Sequence, residues 1–354
     1  MKKISLILTL VLTMSLLAGC AGTPVVYYTE CDCPTNAHTE TVTPDTNDAP
    51  LAEGAVKTGL AIIGNAADSK DAEAVSYDVT IVGVTVDNDG IIRSCIIDSL
   101  GAKVGIDAAG SITSDISAAP ATKNELGENY GMVAYGGAIA EWDEQAAALA
   151  AFAVGKTVDE LKNGAIDETG KAPAGTDLAS SATIYLGGYV SAIEAAVANA
   201  QDLGAQAGDE LKLAVINSLS SSKSADAENA GLAQLDCDVT VLTVNGDTIT
   251  SCTIDSLQAK VNFDAAGVIT SDLSAPMQTK NQLGENYGMV AWAGAIAEWD
   301  EQAASFAEYV TGKTAAEVAG IAVNEKTAPT EADLASSVTI AVGGFQALIA
   351  KAMQ

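Results

Sequence analysis

The feature that most constrains the fold of this chain is an internal duplication. The stretch TKNELGENYGM at 122–132 returns with one substitution at 279–289, and AIAEWDEQAA at 138–147 returns unchanged at 295–304. Solenoid and propeller repeats recur every roughly 20–50 residues, and the period here is far longer. The duplication therefore predicts two tandem copies of one globular domain.

We place the two domains at 57–203 and 210–354, because Gly204 and Gly208 interrupt the helical pattern before them. In each copy, β-branched runs come first and Ala-rich helical patterns follow. The predicted strands are Asp78–Val86 and Ile91–Ile97, their copies Val239–Val244 and Ile249–Ile254, and a second hairpin formed by Lys103–Ile106 and Ile112–Ile116. The predicted helices are Gly136–Val154, a short one after Thr157, Gly188–Ala200 and Gly344–Met353. This order predicts an α+β fold, with an antiparallel meander sheet packed by helices.

The N-terminus has the pattern of an export signal. An apolar run from Ile4 to Leu17 follows two lysines and is too short to span a bilayer. It ends in Leu-Ala-Gly-Cys20, which resembles the lipobox of bacterial lipoproteins, whose cysteine carries lipid after cleavage. We predict a signal peptide at 1–19, lipidation of Cys20, and a disordered stalk at 20–56 that is rich in Pro, Thr, Asn and Asp. The resemblance implies a protein held outside the cytoplasm by its lipid on the cell membrane.

The composition excludes several functional classes. The chain has 17 Lys and Arg against 46 Asp and Glu, for a formal net charge of -29, and such a surface repels nucleic acid. The single arginine is Arg93, and the single histidine, His38, lies in the predicted stalk. The domains therefore contain no Ser-His-Asp triad and no histidine-based metal site. We assign no catalytic residue and no metal ligand, which favours an electron carrier or a binding protein over a hydrolase or a transferase.

Several local motifs have two interpretations. Gly155-Lys156-Thr157 resembles the end of a P-loop, but Thr157 and Glu160 are better explained as a capping box at a helix start. The carboxylates of 141–144 can serve acid–base chemistry, yet the solvated edge of an amphipathic helix is favoured. Cys95 and Cys252 occupy equivalent strand positions and are interpreted as small buried apolar residues.

Aromatic residues recur in the second halves of both copies. Tyr130, Tyr135 and Trp142 return as Tyr287, Trp292 and Trp299 in a chain with only 5% aromatics. They can line a pocket for a planar ligand, or they can form the larger part of the core, which is the favoured interpretation.

A polar segment before the last helix of each copy carries the most informative motif. It reads DLASSAT from Asp177 to Thr183 and DLASSVT from Asp333 to Thr339. The segment resembles the Asp-x-x-Ser-Gly-Ala-Thr signature of FMN-binding domains in exported electron-transfer lipoproteins, with Ser181 and Ser337 at the glycine position. In the alternative interpretation, Ser180 to Thr183 form only a strand end and a helix entry.

The resemblance implies a cofactor and its partners. In that family a flavin transferase joins FMN to the threonine hydroxyl, so the resemblance implies covalent FMN on Thr183 and Thr339. The neighbouring motif residues Asp177, Ser180, Ser181, Asp333, Ser336 and Ser337 become candidate cofactor-binding residues. Tyr130, Tyr135, Tyr287 and Trp292 become candidates to stack on the ring. The expected function is extracytoplasmic electron transfer with redox partner proteins. The alternative is a non-enzymatic binding or surface-display lipoprotein that uses the same fold without flavin.

Overall fold

The computed structural model describes residues 51–354, which form a mixed α+β structure with two three-stranded antiparallel sheets. The first sheet contains β1 (Lys57–Asn65), β2 (Ala74–Val86) and β3 (Ile92–Gly105), in the order β1-β2-β3. The second contains β4 (Glu210–Ser218), β5 (Gly231–Asn245) and β6 (Thr248–Phe263), in the order β4-β5-β6. This arrangement confirms the predicted α+β class with meander sheets, and it is compatible with two tandem copies.

Each sheet is followed by the same series of helices. After the first sheet come α1 (Lys123–Leu126), α2 (Met132–Gly136), α3 (Trp142–Ala153), α4 (Val158–Ala165), α5 (Asp177–Ser181) and α6 (Gly187–Ala198). After the second come α7 (Lys280–Leu283), α8 (Met289–Ala293), α9 (Trp299–Val310), α10 (Ala315–Ala319), α11 (Ala332–Ala335) and α12 (Gly343–Ala352). Short 3-10 helices at Gly127–Tyr130 and Gly284–Tyr287 join α1 to α2 and α7 to α8.

One predicted hairpin is absent, and one predicted helix starts later than expected. The second hairpin does not form, because β3 continues to Gly105 while β2, which starts at Ala74, pairs with it throughout. Beyond β3 there is only an isolated bridge between Ile106 and Ile112. The long helix predicted at 136–154 is broken, because Gly137 adopts a positive φ of 62° after α2 and Glu141 caps the new helix α3.

Both faces of each sheet are buried. Along β2, Tyr77, Val79 and Ile81 face the second sheet and share one core with it, whereas Val82 and Val84 face the helices. The second sheet repeats this division, with its own core against α9 and α12. The layers are therefore helices, sheet, sheet and helices, with the largest core between the two sheets.

The two halves meet through reciprocal contacts. Ala72 N donates to Gly267 O at 2.8 Å, and the equivalent Ala225 N donates to Gly110 O at 2.8 Å. β1 packs on β6 and β3 on β4, and Gly83 faces Val241, its own counterpart in the alignment of the repeats. Contacts of this kind are the signature of a two-fold relationship, so the halves form an internal pseudo-dimer.

The packed part of the chain already includes residues assigned to the stalk. Leu51, Ala55 and Val56 are buried, and Val56 N donates to Ala205 O at 3.0 Å. The stalk prediction therefore extended too far, because these apolar side chains find partners that are distant in sequence. The predicted signal peptide, Cys20 and the rest of the stalk lie outside the described residues. Within 51–354, no helix has the length and apolar character needed to cross a membrane.

Candidate functional site

The two motif threonines lie in equivalent loops, between α5 and α6 and between α11 and α12. Thr183 is exposed, and its backbone N–H donates to Gln145 Oε1 at 2.8 Å. Ile184 N donates to the same oxygen at 3.2 Å, while Gln145 Nε2 donates to Ala140 O at 2.8 Å. Because Gln145 is fully buried in α3, one carboxamide holds the backbone of the threonine loop and the segment before α3 together.

The second repeat reproduces this arrangement closely. Thr339 N and Ile340 N donate to Gln302 Oε1 at 2.8 and 3.2 Å, and Gln302 Nε2 donates to Ala297 O at 2.8 Å. In both copies the threonine hydroxyl itself makes only a long hydrogen bond to the same oxygen, at 3.3 Å from Thr183 and 3.2 Å from Thr339. The loop is therefore fixed mainly through its backbone, and both threonines are exposed residues.

The serine hydroxyls of the motif donate hydrogen bonds to nearby backbone carbonyls. Ser180 Oγ donates to Asp177 O at 2.6 Å, and Ser336 Oγ donates to Asp333 O at 2.8 Å. Ser181 Oγ likewise donates to Asp177 O at 3.3 Å, and Ser337 Oγ donates to Leu334 O at 3.3 Å. The side chains of Asp177 and Asp333 are exposed. No strand reaches this segment, so the interpretation as a strand end was wrong, and Thr176 caps the short helix α5 instead.

Serine at the motif's glycine position causes no backbone strain. Among the described residues, positive φ outside glycine occurs only at Ala72 and Thr327. Ser181 ends helix α5, and Ser337 directly follows the C-cap of α11. A backbone conformation reserved for glycine is therefore not required at either position.

Tyr130 and Tyr287 pack against lysines. Lys123 Nζ lies 5.3 Å from the ring of Tyr130, and Lys280 Nζ lies 5.4 Å from the ring of Tyr287. The same lysines lie 5.0 and 4.5 Å from the rings of Trp142 and Trp299, which are buried. These tyrosines thus border the core at the start of α3 and α9, while Trp142 and Trp299 belong to it.

The other repeated aromatic pair is almost fully exposed. Tyr135 is 92% exposed and Trp292 is 90% exposed, and each is flanked by exposed valine and isoleucine side chains. We call the uncharged segments 131–140 and 288–297 the apolar loops. Glu141 anchors the first of them by accepting from Met132 N at 2.8 Å and Val133 N at 3.0 Å, and Glu298 does the same in the second. Glu141 therefore holds the loop in place, and because it is buried, the interpretation as a solvated helix edge was wrong for this residue. The equivalent Asp143 and Asp300 each have a buried Oδ1 without a hydrogen-bond partner among the described residues.

The helix starts that follow the threonines are partly open. Helices α6 and α12 begin at Gly-Gly, and their N-caps, Leu186 and Val342, make no side-chain capping hydrogen bond. Gly187 N already donates to Gly170 O at 3.1 Å, and the side chains of Tyr185 and Thr327 lie over Gly187 and Gly343. A Cβ built at Gly188 or Gly344 would meet nothing within 4 Å, so the first turn is open to an anion only at these second glycines.

Two buried carboxylates, Asp98 and Asp255, were not predicted from the sequence. Asp98 accepts from Ser99 N and Asn124 N, and Asp255 accepts from Ser256 N and Asn281 N. Burial raises the pKa of both carboxyl groups, that of Asp255 to about 6. They attach α1 and α7 to the sheets. The only signal for this role was their place in the repeated Ile-Asp-Ser-Leu motif.

The cysteines of the described region are free thiols. Cys237 and Cys252 are buried, which confirms the interpretation of Cys252 as a small apolar residue, and Cys95 is partly buried. Burial raises the pKa of the Cys95 and Cys252 thiols to about 12 and also raises that of Cys237. The reactive thiolate is therefore disfavoured at all three. Residues 51–354 contain no cluster of three or more His, Cys, Asp or Glu side chains suited to a metal ion.

Comparison with known proteins found no matching family model, no similar curated protein and no similar solved structure.

Proposed function

We propose that this chain is an exported, lipid-anchored electron carrier that holds FMN covalently on Thr183 and Thr339. The observation that carries the proposal is the duplicated Gln–Thr arrangement. In both repeats a buried glutamine fixes the backbone of the threonine loop while the threonine itself is an exposed residue. A flavin transferase needs such a hydroxyl, accessible and presented by a rigid loop.

Esterification is compatible with the surrounding hydrogen bonds. The new bond joins threonine Oγ1 to phosphorus, while the phosphorus–oxygen bond between FMN and the donor's leaving group breaks, and the leaving oxygen takes up the proton that the hydroxyl releases. Thr183 then loses only its 3.3 Å donation to Gln145, whose Oε1 keeps two backbone donors. Gly188, in the first turn of α6, is the open part of the helix start that the phosphate can approach.

The apolar loops are the proposed contact surface for the flavin ring and for redox partners. FMN, when bound, supplies the electron-accepting and electron-releasing chemistry. The protein holds Ala140, at the end of the first apolar loop, and Thr183 on the same carboxamide of Gln145. Tyr135 and Trp292 are therefore better candidates than Tyr130 and Tyr287 to stack on a ring, because they are far more exposed.

The wider organisation follows from the same proposal. The two halves are copies of one FMN-binding-like domain, at 57–203 and 210–354, and lipid on Cys20 keeps both near a membrane donor of electrons. The strong negative charge keeps the carrier soluble outside the cytoplasm and steers it toward partners with positive surfaces.

The test is peptide-level mass spectrometry on protein isolated from its native membrane. We expect an FMN-sized addition on the peptides that contain Thr183 and Thr339. Thr183→Val removes one addition, Thr339→Val removes the other, and the control Ser191→Ala, which removes an exposed hydroxyl on α6, retains both. Bare threonines in a cell that flavinylates its other proteins would contradict the proposal.

The second candidate function is a binding or surface-display lipoprotein without flavin. The exposed apolar loops favour it, because exposed Tyr135 and Trp292 add little to folding and are typical of recognition surfaces. Bare threonines together with a partner that is released by Trp292→Ser would support this function instead.

A further inference from the structure

The two apolar loops hold a large share of the exposed apolar side chains. Of the twelve large apolar side chains that are exposed in residues 51–354, six lie in these loops, which contain only 20 of the 304 residues. They occupy identical positions in the two repeats: Val133, Tyr135 and Ile139, and Val290, Trp292 and Ile296. An exposed apolar cluster of this kind marks a contact surface.

The backbone of each loop is satisfied to a large extent without solvent. In the first loop Tyr135 N donates to Gly131 O at 3.0 Å and Ala138 N donates to Met132 O at 3.1 Å, and the second loop repeats both bonds at 2.9 and 3.1 Å. The buried carboxylate of Glu141 takes two further N–H groups, and neither loop contains a charged residue. Lipid cannot satisfy backbone groups, so a segment that enters it must pair them within the protein. A protein partner makes no such demand.

Both loops lie toward the same end of the internal pseudo-dimer. Helix α3 packs along β3 and ends beside its start, where Gly155 N donates to Ile92 O at 2.8 Å, and α9 ends beside the start of β6 through the equivalent bond. The loops precede these helices and therefore lie toward the ends of β3 and β6. These ends meet across the two halves, because Ala72, just before β2, bonds to Gly267, just after β6, and β2 begins opposite the end of β3.

We propose that the two apolar loops insert together into the interface of a bilayer of zwitterionic phospholipid. Tyr135 and Trp292 lie at the depth of the headgroups, where amphipathic aromatic rings are favoured, and the valines and isoleucines supply the apolar area that enters the acyl boundary. The net charge of -29 disfavours anionic lipid. The inference goes beyond the proposed function, because it names a partner of these loops whether or not the threonines carry FMN.

The entry point of the chain is compatible with this orientation. Leu51 N donates to Asn88 Oδ1 at 2.8 Å, in the hairpin between β2 and β3, so the chain enters at the end opposite the loops. The 14 residues of β3 correspond to a length of about 45 Å. The 31 residues from Cys20 to Pro50 can span up to roughly 100 Å, so lipid on Cys20 and the loops can reach one membrane.

The test uses Trp292 as its own reporter. Trp142 and Trp299 are only 2% and 6% exposed, whereas Trp292 is 90% exposed. Protein from the native membrane, with Thr183→Val and Thr339→Val to remove any flavin, is mixed with vesicles of phosphatidylcholine brominated on its acyl chains. Bromine quenches tryptophan at contact, so we expect a loss of fluorescence that Trp292→Phe abolishes. An unquenched Trp292 overturns the proposal and leaves a protein partner as the occupant of the loops.

Matched variants test the joint contact of both loops. Ile296→Asp is expected to abolish the quenching, because a carboxylate is poorly tolerated in lipid, whereas Val154→Asp, at an exposed side chain beyond the end of α3, is expected to retain it. Tyr135→Trp with Trp292→Phe moves the reporter to the first loop and is expected to restore quenching. Vesicles of brominated phosphatidylglycerol are expected to quench less. Quenching that survives Ile296→Asp, or that is absent from the first loop, contradicts the joint insertion.

Discussion

At the scale of single residues, burial of a few polar groups organises each repeat. Asp255 receives two backbone N–H groups on Oδ1, from Ser256 at 2.7 Å and from Asn281 at 3.1 Å. These bonds join β6 to the start of α7. The carboxylate is nevertheless poorly solvated, and burial raises its pKa from 3.8 to about 6.

This raised pKa predicts a pH dependence of stability. Between about pH 4 and pH 6 the folded state keeps a proton on Asp255 that the unfolded state has already lost. The contribution of this group to the free energy of unfolding therefore falls as pH rises through that window, and it stays low above it. Asp255→Asn keeps Oδ1 as an acceptor. It is expected to flatten the dependence of the free energy of unfolding on pH and to raise that free energy at neutral pH by on the order of 2 kcal/mol.

Urea denaturation at several pH values measures this effect. Asp247→Asn, at an exposed position in the turn between β5 and β6, controls for the loss of one negative charge from an acidic chain. A variant at position 255 that is less stable than the parent at neutral pH, with an unchanged slope, would show that the carboxylate is not the source of the dependence.

At the scale of elements, Gln145 connects α3 to the loop that carries Thr183. Its Oε1 accepts two backbone N–H groups of that loop, and its Nε2 donates to the segment before α3. Because the three partners belong to backbone, the connection does not depend on the side chains of the loop. It thus leaves those side chains available for another role.

Replacing this glutamine is expected to release the loop. Gln145→Met keeps the length of the side chain but leaves Thr183 N and Ile184 N without their acceptor. We expect a loss of about 2–3 kcal/mol in the free energy of unfolding, measured by urea denaturation. Ala147→Met, at an exposed position of the same helix, is expected to change it by less than about 0.5 kcal/mol. An equal effect of both substitutions would argue against the role of the carboxamide.

At the scale of the whole molecule, the two repeats stabilise each other. Their sheets bury one face in a common core, so each sheet has apolar residues on both faces. Gly83 lies close to its own counterpart in the second repeat, because a Cβ built there would lie 2.8 Å from Val241 Cγ2. The absence of a side chain at Gly83 therefore lets the sheets come together.

A double-mutant cycle tests this contact. Gly83→Ala overpacks the interface and is expected to cost about 1–3 kcal/mol. Val241→Ala is expected to cost a similar amount by leaving a cavity, while the double variant is expected to cost less than the sum, because the smaller side chain at 241 makes room for the new methyl group. Urea denaturation measures the free energy of unfolding of each variant. Strictly additive losses of this free energy would show that the two positions do not share a packing constraint.

Much of the local structure was predictable because it depends on near neighbours. Short stretches of sequence were enough to predict the Asn-Gly turn between β5 and β6 and the capping boxes at Thr157 and Thr314. The break at Gly137 was not, since an Ala-rich helical pattern runs through it. The motif threonines could be located, but the glutamines that hold them lie 38 and 37 residues away in the chain.

The sequence by itself determined the duplication, the α+β class, the placing of strands before helices and the acidic character of this protein, because all four are properties of composition and of local pattern. Only the tertiary structure decided which face of each strand meets the other repeat, since strands buried on both faces show no alternation of apolar and polar residues. It also decided that Asp236 accepts from Gln234 and Gln258 while the equivalent Asp78 is exposed to solvent. That difference depends on strand register, which brings distant residues together through pairing and packing energies that no short segment encodes.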